Sequence, residues 1–398
     1  MPFAGSDFLT RSMFLQNRWI ILCVLFFART TMAFQFQSVA ALSPLMIDSL
    51  LLSIVDIGLL IGLYLGPGVI VAILGGSVAS VFGDKRIGVV SLILMFLGSV
   101  LALQASTFSG LVAGRVMAGI GGVVVNVLMT KMVIDWFAGR NLATAMAIFI
   151  SSWPMGIGLA LVTLPWLADQ GGLDWAWAFV ALVTALALVS FWVIYRTPEG
   201  ATARGRIAVV GLPWVPLTFA ALVWGFYNAA LAMVFGFGPI ILVDSGLSVA
   251  GASAATSLFM FAIVIAAPLG GWVADRSGRR DALIFFTLVC AIVLFPLMLY
   301  LSASTAWIVF AFAGFLIGLS PGAIVSMTSQ ILPINARAFG TGVYYSIYYA
   351  VMMVSPPLAG ALADKIENAS VTFLLASGMM SICILALLAF RKTALSTD

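Results

Sequence analysis

Two arginines stand where the residues around them are almost all apolar. Arg29 sits in FFARTTMAFQFQ (residues 26–37), with Thr30, Gln35 and Gln37 close behind it, and Arg115 opens the run RVMAGIGG, with Asn126 eleven residues on. A guanidinium stays charged at physiological pH and presents a planar fork of five donors, so it suits the holding of a small oxyanion rather than proton transfer. The chain has no histidine, which removes the side chain that titrates near neutrality and the commonest metal ligand. Cys23, Cys290 and Cys383 all lie in apolar runs, and their placement points to neither a disulfide framework nor a metal site. With no nucleophile beside a base and no metal constellation, neither an enzyme nor a cofactor is expected.

Composition dictates the elements that must carry these residues. Of 398 residues, 63% are apolar and only 8% charged, and the mean hydropathy is +1.19, far outside the range of soluble domains. Crossing a bilayer takes about 20 apolar residues. Segments of that size fall at 19–42, 54–81, 87–106, 109–131, 142–166 and 174–195, and again at 212–241, 251–274, 282–302, 306–331, 339–362 and 370–391. The expectation is an all-α membrane protein of twelve transmembrane helices. The basic residues from Arg11 to Arg18 read as the start of the first helix rather than a cleaved signal. The polar stretch RTPEGATARGR divides the chain into a six-helix bundle over 1–195, a cytoplasmic linker over 196–211 and a second six-helix bundle over 212–398.

Charge placement sets an orientation, because cytoplasmic loops keep positive residues. With the N-terminus inside, fourteen basic residues, from Arg11 to Lys392, fall in cytoplasmic segments, and only Lys365 falls in an outer loop. The outer loops otherwise carry Asp48, Asp169, Asp174, Asp244, Asp364 and Glu367. Both termini are therefore expected in the cytoplasm, and the net charge of +4 reports topology rather than a nucleic-acid partner.

A loop repeats in the two halves. GWVADRSGRR (271–280) carries Gly271, Asp275, Arg276, Gly278, Arg279 and Arg280. GSVASVFGDKR (76–86) carries Gly76, Gly83, Lys85 and Arg86, with Ser80 and Val81 where the later copy has its Asp-Arg pair. The second copy resembles the loop signature of the major facilitator superfamily. GRVMAGIGG (114–122), DWFAGRNLATAMA (135–147) and DWAWAF (174–179) are similar to further motifs of the same superfamily. The resemblance implies two pseudo-symmetric six-helix bundles, a central cavity opened alternately to either side, solute transport, a monomer in the lipid bilayer and conformational gating by the two glycine loops. The other reading of Arg276, Arg279 and Arg280 is that they merely hold their loop on the cytoplasmic side. Within the superfamily, Arg29 followed by Ser43, Pro44 and Leu45 resembles the cyanate permease and nitroimidazole-transporter group, which implies a bacterial inner membrane.

Given twelve spans, Arg29 lies near the middle of the first helix. A charge there costs at least about 3 kcal/mol unless it faces a wet or paired environment, so it is expected to line the cavity. In the family fold the first, fourth, seventh and tenth helices surround that cavity. Gln37 lies within about a quarter-turn of the Arg29 face and Thr30 to the same side, whereas Gln35 faces elsewhere and reads as an interhelix hydrogen bond. Gly119, Gly122 and Asn126 share the Arg115 face within about 40°; the other reading of Arg115 is that it bonds carbonyls of a neighbouring helix.

The acids lie near helix ends: Asp56, Asp135, Asp275 and Asp364 are examples, and Lys131 is spaced to pair with Asp135. Two buried cations with no buried acid call for a bound counter-charge, so the expected substrate is a small organic or inorganic anion. From the second half, Trp224, Tyr227 and Asn228 share one face of the seventh helix, and Tyr344, Tyr345, Tyr348 and Tyr349 form two i, i+4 pairs that either pack or donate to the anion. The loop offset aligns Trp224 with Arg29. Trp153 and Pro154 mark a bend in the fifth helix, with Ser151 and Ser152 able to satisfy freed backbone groups. With no titratable pathway group, exchange, uniport or symport of a protonated substrate is favoured. The alternative is a proton-driven drug or metabolite exporter, which calls for a pathway carboxylate.

Overall fold

The computed structural model describes residues 17–73, 83–137, 142–198, 212–300, 302–332 and 337–394. Their regular structure is helical throughout: α1 Arg18–Leu50, α2 Ile54–Leu65, α3 Asp84–Gln104, α4 Phe108–Trp136, α5 Leu142–Ile194, α6 Trp214–Asp244, α7 Val249–Ser277, α8 Arg280–Leu297, α9 Ala303–Ile317, α10 Pro321–Val325, α11 Met327–Ile331, α12 Arg337–Ile366 and α13 Val371–Ala394. Among the described residues, eleven helical stretches are long and apolar enough to cross a membrane. One of them, Ile148–Ile194, has 47 residues, about 70 Å at 1.5 Å per residue, or twice the hydrocarbon thickness. Within it Gly171 and Gly172 leave helical geometry, Gly172 at φ 73°, a conformation that costs glycine nothing and other residues a good deal.

Helix starts follow their capping residues. Asn17, Ser53, Thr107 and Ser248 each accept a first-turn amide, and Ser53 with Asp56 forms a reciprocal capping box. Two expected spans differ in length. The first helix runs on to Leu50 rather than stopping at 42, passing through Pro44, and the span expected over 306–331 is broken between α9, α10 and α11.

Prolines inside helices explain several of the polar contacts. A proline has no N–H, so the carbonyl four residues earlier loses its helical donor. Four such carbonyls take side chains instead. Ser43 Oγ donates to Ala40 O ahead of Pro44 (2.8 Å), and Ser377 Oγ to Ile292 O ahead of Pro296 (3.0 Å). Gln37 Nε2 donates to Phe235 O ahead of Pro239 (2.7 Å), and Arg29 Nη1 to Ile150 O ahead of Pro154 (3.2 Å).

Alternating helix directions sort the charges to two ends of the molecule. The basic end carries Lys85, Arg86, Lys131, Arg196, Arg276, Arg279, Arg280, Arg391 and Lys392; the acidic end carries Asp48, Asp56, Asp169, Asp174, Asp244, Asp364 and Glu367. In the first part of the chain α1 packs on α5, α4 and α2, and α3 on α4 and α5; in the second, α6 packs on α13 and α12, α7 on α9 and α8 on α13. The two parts meet along α2 with α12, α5 with α7 and α1 with α6. On the α2–α12 seam, Gly58 and Gly62 admit the carbonyls of Pro356 and Met353 so closely that a Cβ at either position would overlap them. At the acidic end of this seam Asp364 accepts from Ile54 N (3.0 Å) and Val55 N (2.8 Å), capping the first turn of α2 from the other side of the seam.

Candidate functional site

Arg29 lies about 16 Å along α1 at 1.5 Å per residue, and its side chain reaches out to α4 and α5. Its Nε donates to Asn126 Oδ1 (2.9 Å), and its Nη1 to Phe149 O (2.9 Å), Ile150 O (3.2 Å) and Ser152 Oγ (3.2 Å). The guanidinium carbon sits 4.8 Å from the centre of the Phe149 ring, a cation–π contact. The proline bend read from the sequence thus does a particular job: Pro154 frees the carbonyl that Arg29 uses. The side chain is half-buried. Among the described residues its Nη2 has no hydrogen bond, and the ion pairs Lys131–Asp84, Lys131–Asp135, Arg280–Asp275 and Arg391–Asp281 leave Arg29 aside.

Asn126 spends its Oδ1 on Arg29 and donates Nδ2 to the Tyr349 hydroxyl (3.0 Å). A chain of three side chains therefore runs from α1 through α4 to α12 and joins the two parts of the molecule. Tyr345, Tyr348 and Tyr349 lie within electrostatic reach of Arg29. Tyr349, one of the four tyrosines expected either to pack or to donate to an anion, accepts from Asn126.

Arg115 has a different setting. It is 2% exposed and every nitrogen is engaged: Nε with Leu60 O (2.9 Å), Nη1 with Gln35 O (2.7 Å) and Nη2 with Phe36 O (2.7 Å). The guanidinium carbon lies 4.5 Å from the Tyr64 ring centre. Tyr64 in turn donates to Gln35 Oε1 (3.0 Å), and Gln35 Nε2 donates to Met95 O (2.7 Å) and Ser99 Oγ (2.6 Å). The structure gives Arg115 its other reading, bonds to carbonyls of neighbouring helices: each of its three nitrogens donates to a carbonyl of α1 or α2, and the group ties α1, α2, α3 and α4 together. Gly119 and Gly122 lie against Tyr64, as close packing requires. Gln35 makes the interhelix bonds expected of it.

Gln37 is fully buried and bonds across α1–α6 to Phe235 O rather than joining Arg29. Tyr227 donates to Ile317 O (2.8 Å) and is 1% exposed, and Asn228 Nδ2 returns to Trp224 O (2.8 Å). Gln37, Tyr227 and Asn228 thus each spend a side-chain donor on a backbone carbonyl. Trp224 stacks on Tyr227 (6.0 Å, 12°) and leans on Tyr348 (6.2 Å). Among the described residues, Trp224 Nε1 and the Tyr344 hydroxyl are buried without a hydrogen-bond partner.

Of the gating residues, Gly76 lies outside the described residues, as do Ser80, Val81 and the linker from 199 to 211. Gly83 precedes α3 at φ 85° and Gly278 ends α7 at φ 65°. Arg280 pairs with Asp275 (2.8 Å) and Arg276 lies over Trp272 (5.3 Å). A recess of about 580 Å³ opens between Gly278, Arg279, Arg280, Asp281, Gln330 and Arg391, where Arg391 also bonds Asp281. In the earlier loop the carboxylate comes from Asp84, which meets Lys131; Lys131 also pairs with Asp135 (3.2 Å). Gly271 lies within α7, where a Cβ would meet no neighbour within 4 Å among the described residues.

A helical protein with a charged group held amid apolar spans and seams of close helix contact belongs to the class of multi-pass membrane carriers. The model of the Major Facilitator Superfamily matches residues 21–243 and again 219–397, and the chain belongs to that superfamily. It is similar to the hexuronate transporter of Bacillus subtilis (strain 168), 24% identical over 415 residues with 96% of each chain covered. Over 209 residues it is 24% identical to the citrate-proton symporter of Salmonella typhi, covering 48% of this chain and 47% of the other. Its fold matches the crystal structure of the nucleoside transporter NupG with a TM-score of 0.74 at 14% identity, over 95% of this chain and 99% of the other. The chain is accordingly a membrane transporter of a small molecule and not an enzyme.

Proposed function

We propose that the protein carries a small anion across the membrane by alternating access, with Arg29 as the group that receives it. One observation supports this reading above the others: among the described residues, a guanidinium deep in a membrane helix has one terminal nitrogen uncommitted and no carboxylate within ion-pair distance. Its bonds to carbonyls and amide oxygen hold it in place while leaving its charge uncompensated, and a carboxylate or inorganic anion is the natural complement of that fork. Two similar proteins carry names of carboxylate substrates, a hexuronate and citrate, which agrees with this chemistry. So does the resemblance of Arg29 and Ser43-Pro44-Leu45 to the cyanate permease group.

The proposal includes twelve crossings, counting α5 as two divided at Gly171 and Gly172, arranged as pseudo-symmetric bundles over 1–195 and 212–398 about a cytoplasmic linker. The basic end then faces the cytoplasm, with both termini there, in a bacterial inner membrane, and the protein works as a monomer. Because the acids named above lie near helix ends, exchange, uniport or co-transport of a protonated substrate fits better than a proton-driven exporter. The Asp364 cap on α2 and the Gly58 and Gly62 contacts close the acidic, outer end, and their release opens it.

A thermal-shift panel of small anions on purified protein tests the reading, repeated with Arg29→Ala. An anion that raises the melting temperature of the wild type and not of the variant is the expected result. Stabilisation by neutral hydrophobic compounds alone would end the anion proposal.

A further inference from the structure

We infer that the solute is a monoanion with a planar ring, its single carboxylate on Arg29 and its ring against the aromatic wall of Trp224 and Tyr348. This deepens the anion reading above and rests on it.

The charge of the solute follows from counting free cations. Arg115 has no nitrogen left, and Lys131 is held between Asp84 and Asp135. Among the described residues, Arg29 is the one cation in the helix interior with an uncommitted nitrogen, so the site compensates one negative charge. A second or third carboxylate on the same solute would sit among rings and methyl groups, a placement that costs several kcal/mol per ion.

The body of the solute follows from what surrounds the guanidinium. Phe149 lies on the Arg29 group itself, and on the α12 side Tyr345, Tyr348 and Tyr349 are within electrostatic reach of it. Tyr348 continues into Trp224, whose indole lies nearly parallel to Tyr227 at 12°. Rings in this arrangement present faces and edges that complement another flat ring, with offset or edge-on contacts at about 4.5–7 Å between centres. Trp224 Nε1 and the Tyr344 hydroxyl are, among the described residues, buried without a hydrogen-bond partner. These are donors, so a ring bearing an acceptor such as a hydroxyl or carbonyl oxygen is favoured over a bare hydrocarbon. A sugar acid, ringed by hydroxyls that each need a partner, is disfavoured among so many aromatic faces.

The test measures stabilisation of the purified full-length protein by acetate, benzoate, 4-hydroxybenzoate, galacturonate and citrate, in wild type, Arg29→Ala and Trp224→Leu. Expected are half-saturating concentrations at least tenfold lower for the two benzoates than for acetate. Trp224→Leu should raise the benzoate value about tenfold and leave acetate unchanged. Trp224→Phe, which keeps a ring, serves as the conservative partner and should retain most of the benzoate preference, with ligand-free melting checking that each variant folds. If galacturonate or citrate stabilises through Arg29 and benzoate does no better than acetate, the ring is overturned and the anion site stands. If no acid acts through Arg29, the anion site itself falls.

Discussion

Arg29 and Arg115 carry the same group in neighbouring helices, and the surroundings give them opposite work. Around Arg115 each nitrogen donates to a backbone carbonyl of α1 or α2, Tyr64 covers the cation and Gln35 extends the network to α3. Around Arg29, among the described residues, only Nε and Nη1 are bonded, partly through the carbonyl freed by Pro154, and a group of tyrosines from the far side of the molecule lies within electrostatic reach. A buried cation becomes structural when backbone oxygens saturate it. It becomes a binding group when the backbone fixes its orientation and leaves its charge open.

Arg115→Ala should therefore produce the largest effect on stability. Losing charge-assisted bonds to carbonyls in two helices costs on the order of 3 kcal/mol or more, read as loss of folded protein in a detergent melt. Arg115→Lys should not restore it, because one ammonium cannot reproduce the guanidinium fork. Arg29→Ala should show the converse, with transport falling about a hundredfold, equivalent to about 2.7 kcal/mol, and a much smaller drop in ligand-free melting temperature. Equal stability losses in the two variants would erase the contrast.

Smaller effects sharpen it. Asp364→Ala removes the cap that α12 places on α2, worth about 1 kcal/mol; the acidic end should open more often, seen as roughly fivefold faster alkylation of a cysteine placed at Val55. Tyr349→Phe removes the hydroxyl that accepts from Asn126 (3.0 Å). Arg29 should then be held less firmly, and apparent solute affinity should weaken about fivefold, corresponding to about 1 kcal/mol, with little change in melting.

Much of the scaffold was legible because hydrocarbon leaves few choices. Apolar runs located the spans, charge sorted the ends, and Arg29 and Arg115 stood out as expensive residues. Helical phase also placed Gly119, Gly122 and Asn126 on the Arg115 side of α4, and the Lys131–Asp135 pair was read from its spacing. What spacing could not supply was the register of one helix against the next. Whether Arg115 is free depends on where the carbonyls of Gln35, Phe36 and Leu60 fall along α1 and α2, and nothing local to Arg115 encodes that. Gln37 was misplaced for the same reason: its partner, Phe235 O, is released by Pro239 in a helix nearly two hundred residues away. The prolines were the underused signal. Reading each one as a vacant carbonyl four residues earlier would have pointed from Pro154 and Pro239 toward the donors that fill them. The continuation of α5 to Gly171 was hidden because its residues 167–173 look polar enough for a loop.

Uptake of labelled acetate, benzoate and nitrate into proteoliposomes, comparing wild type with Arg29→Ala at matched protein incorporation, bears most directly on the guanidinium at Arg29 as the receiving group. Wild type should carry at least one of these anions, and the variant should carry it about a hundredfold more slowly while melting within a few degrees of wild type without ligand. Equal uptake by the variant, or uptake confined to neutral compounds, would contradict the assignment.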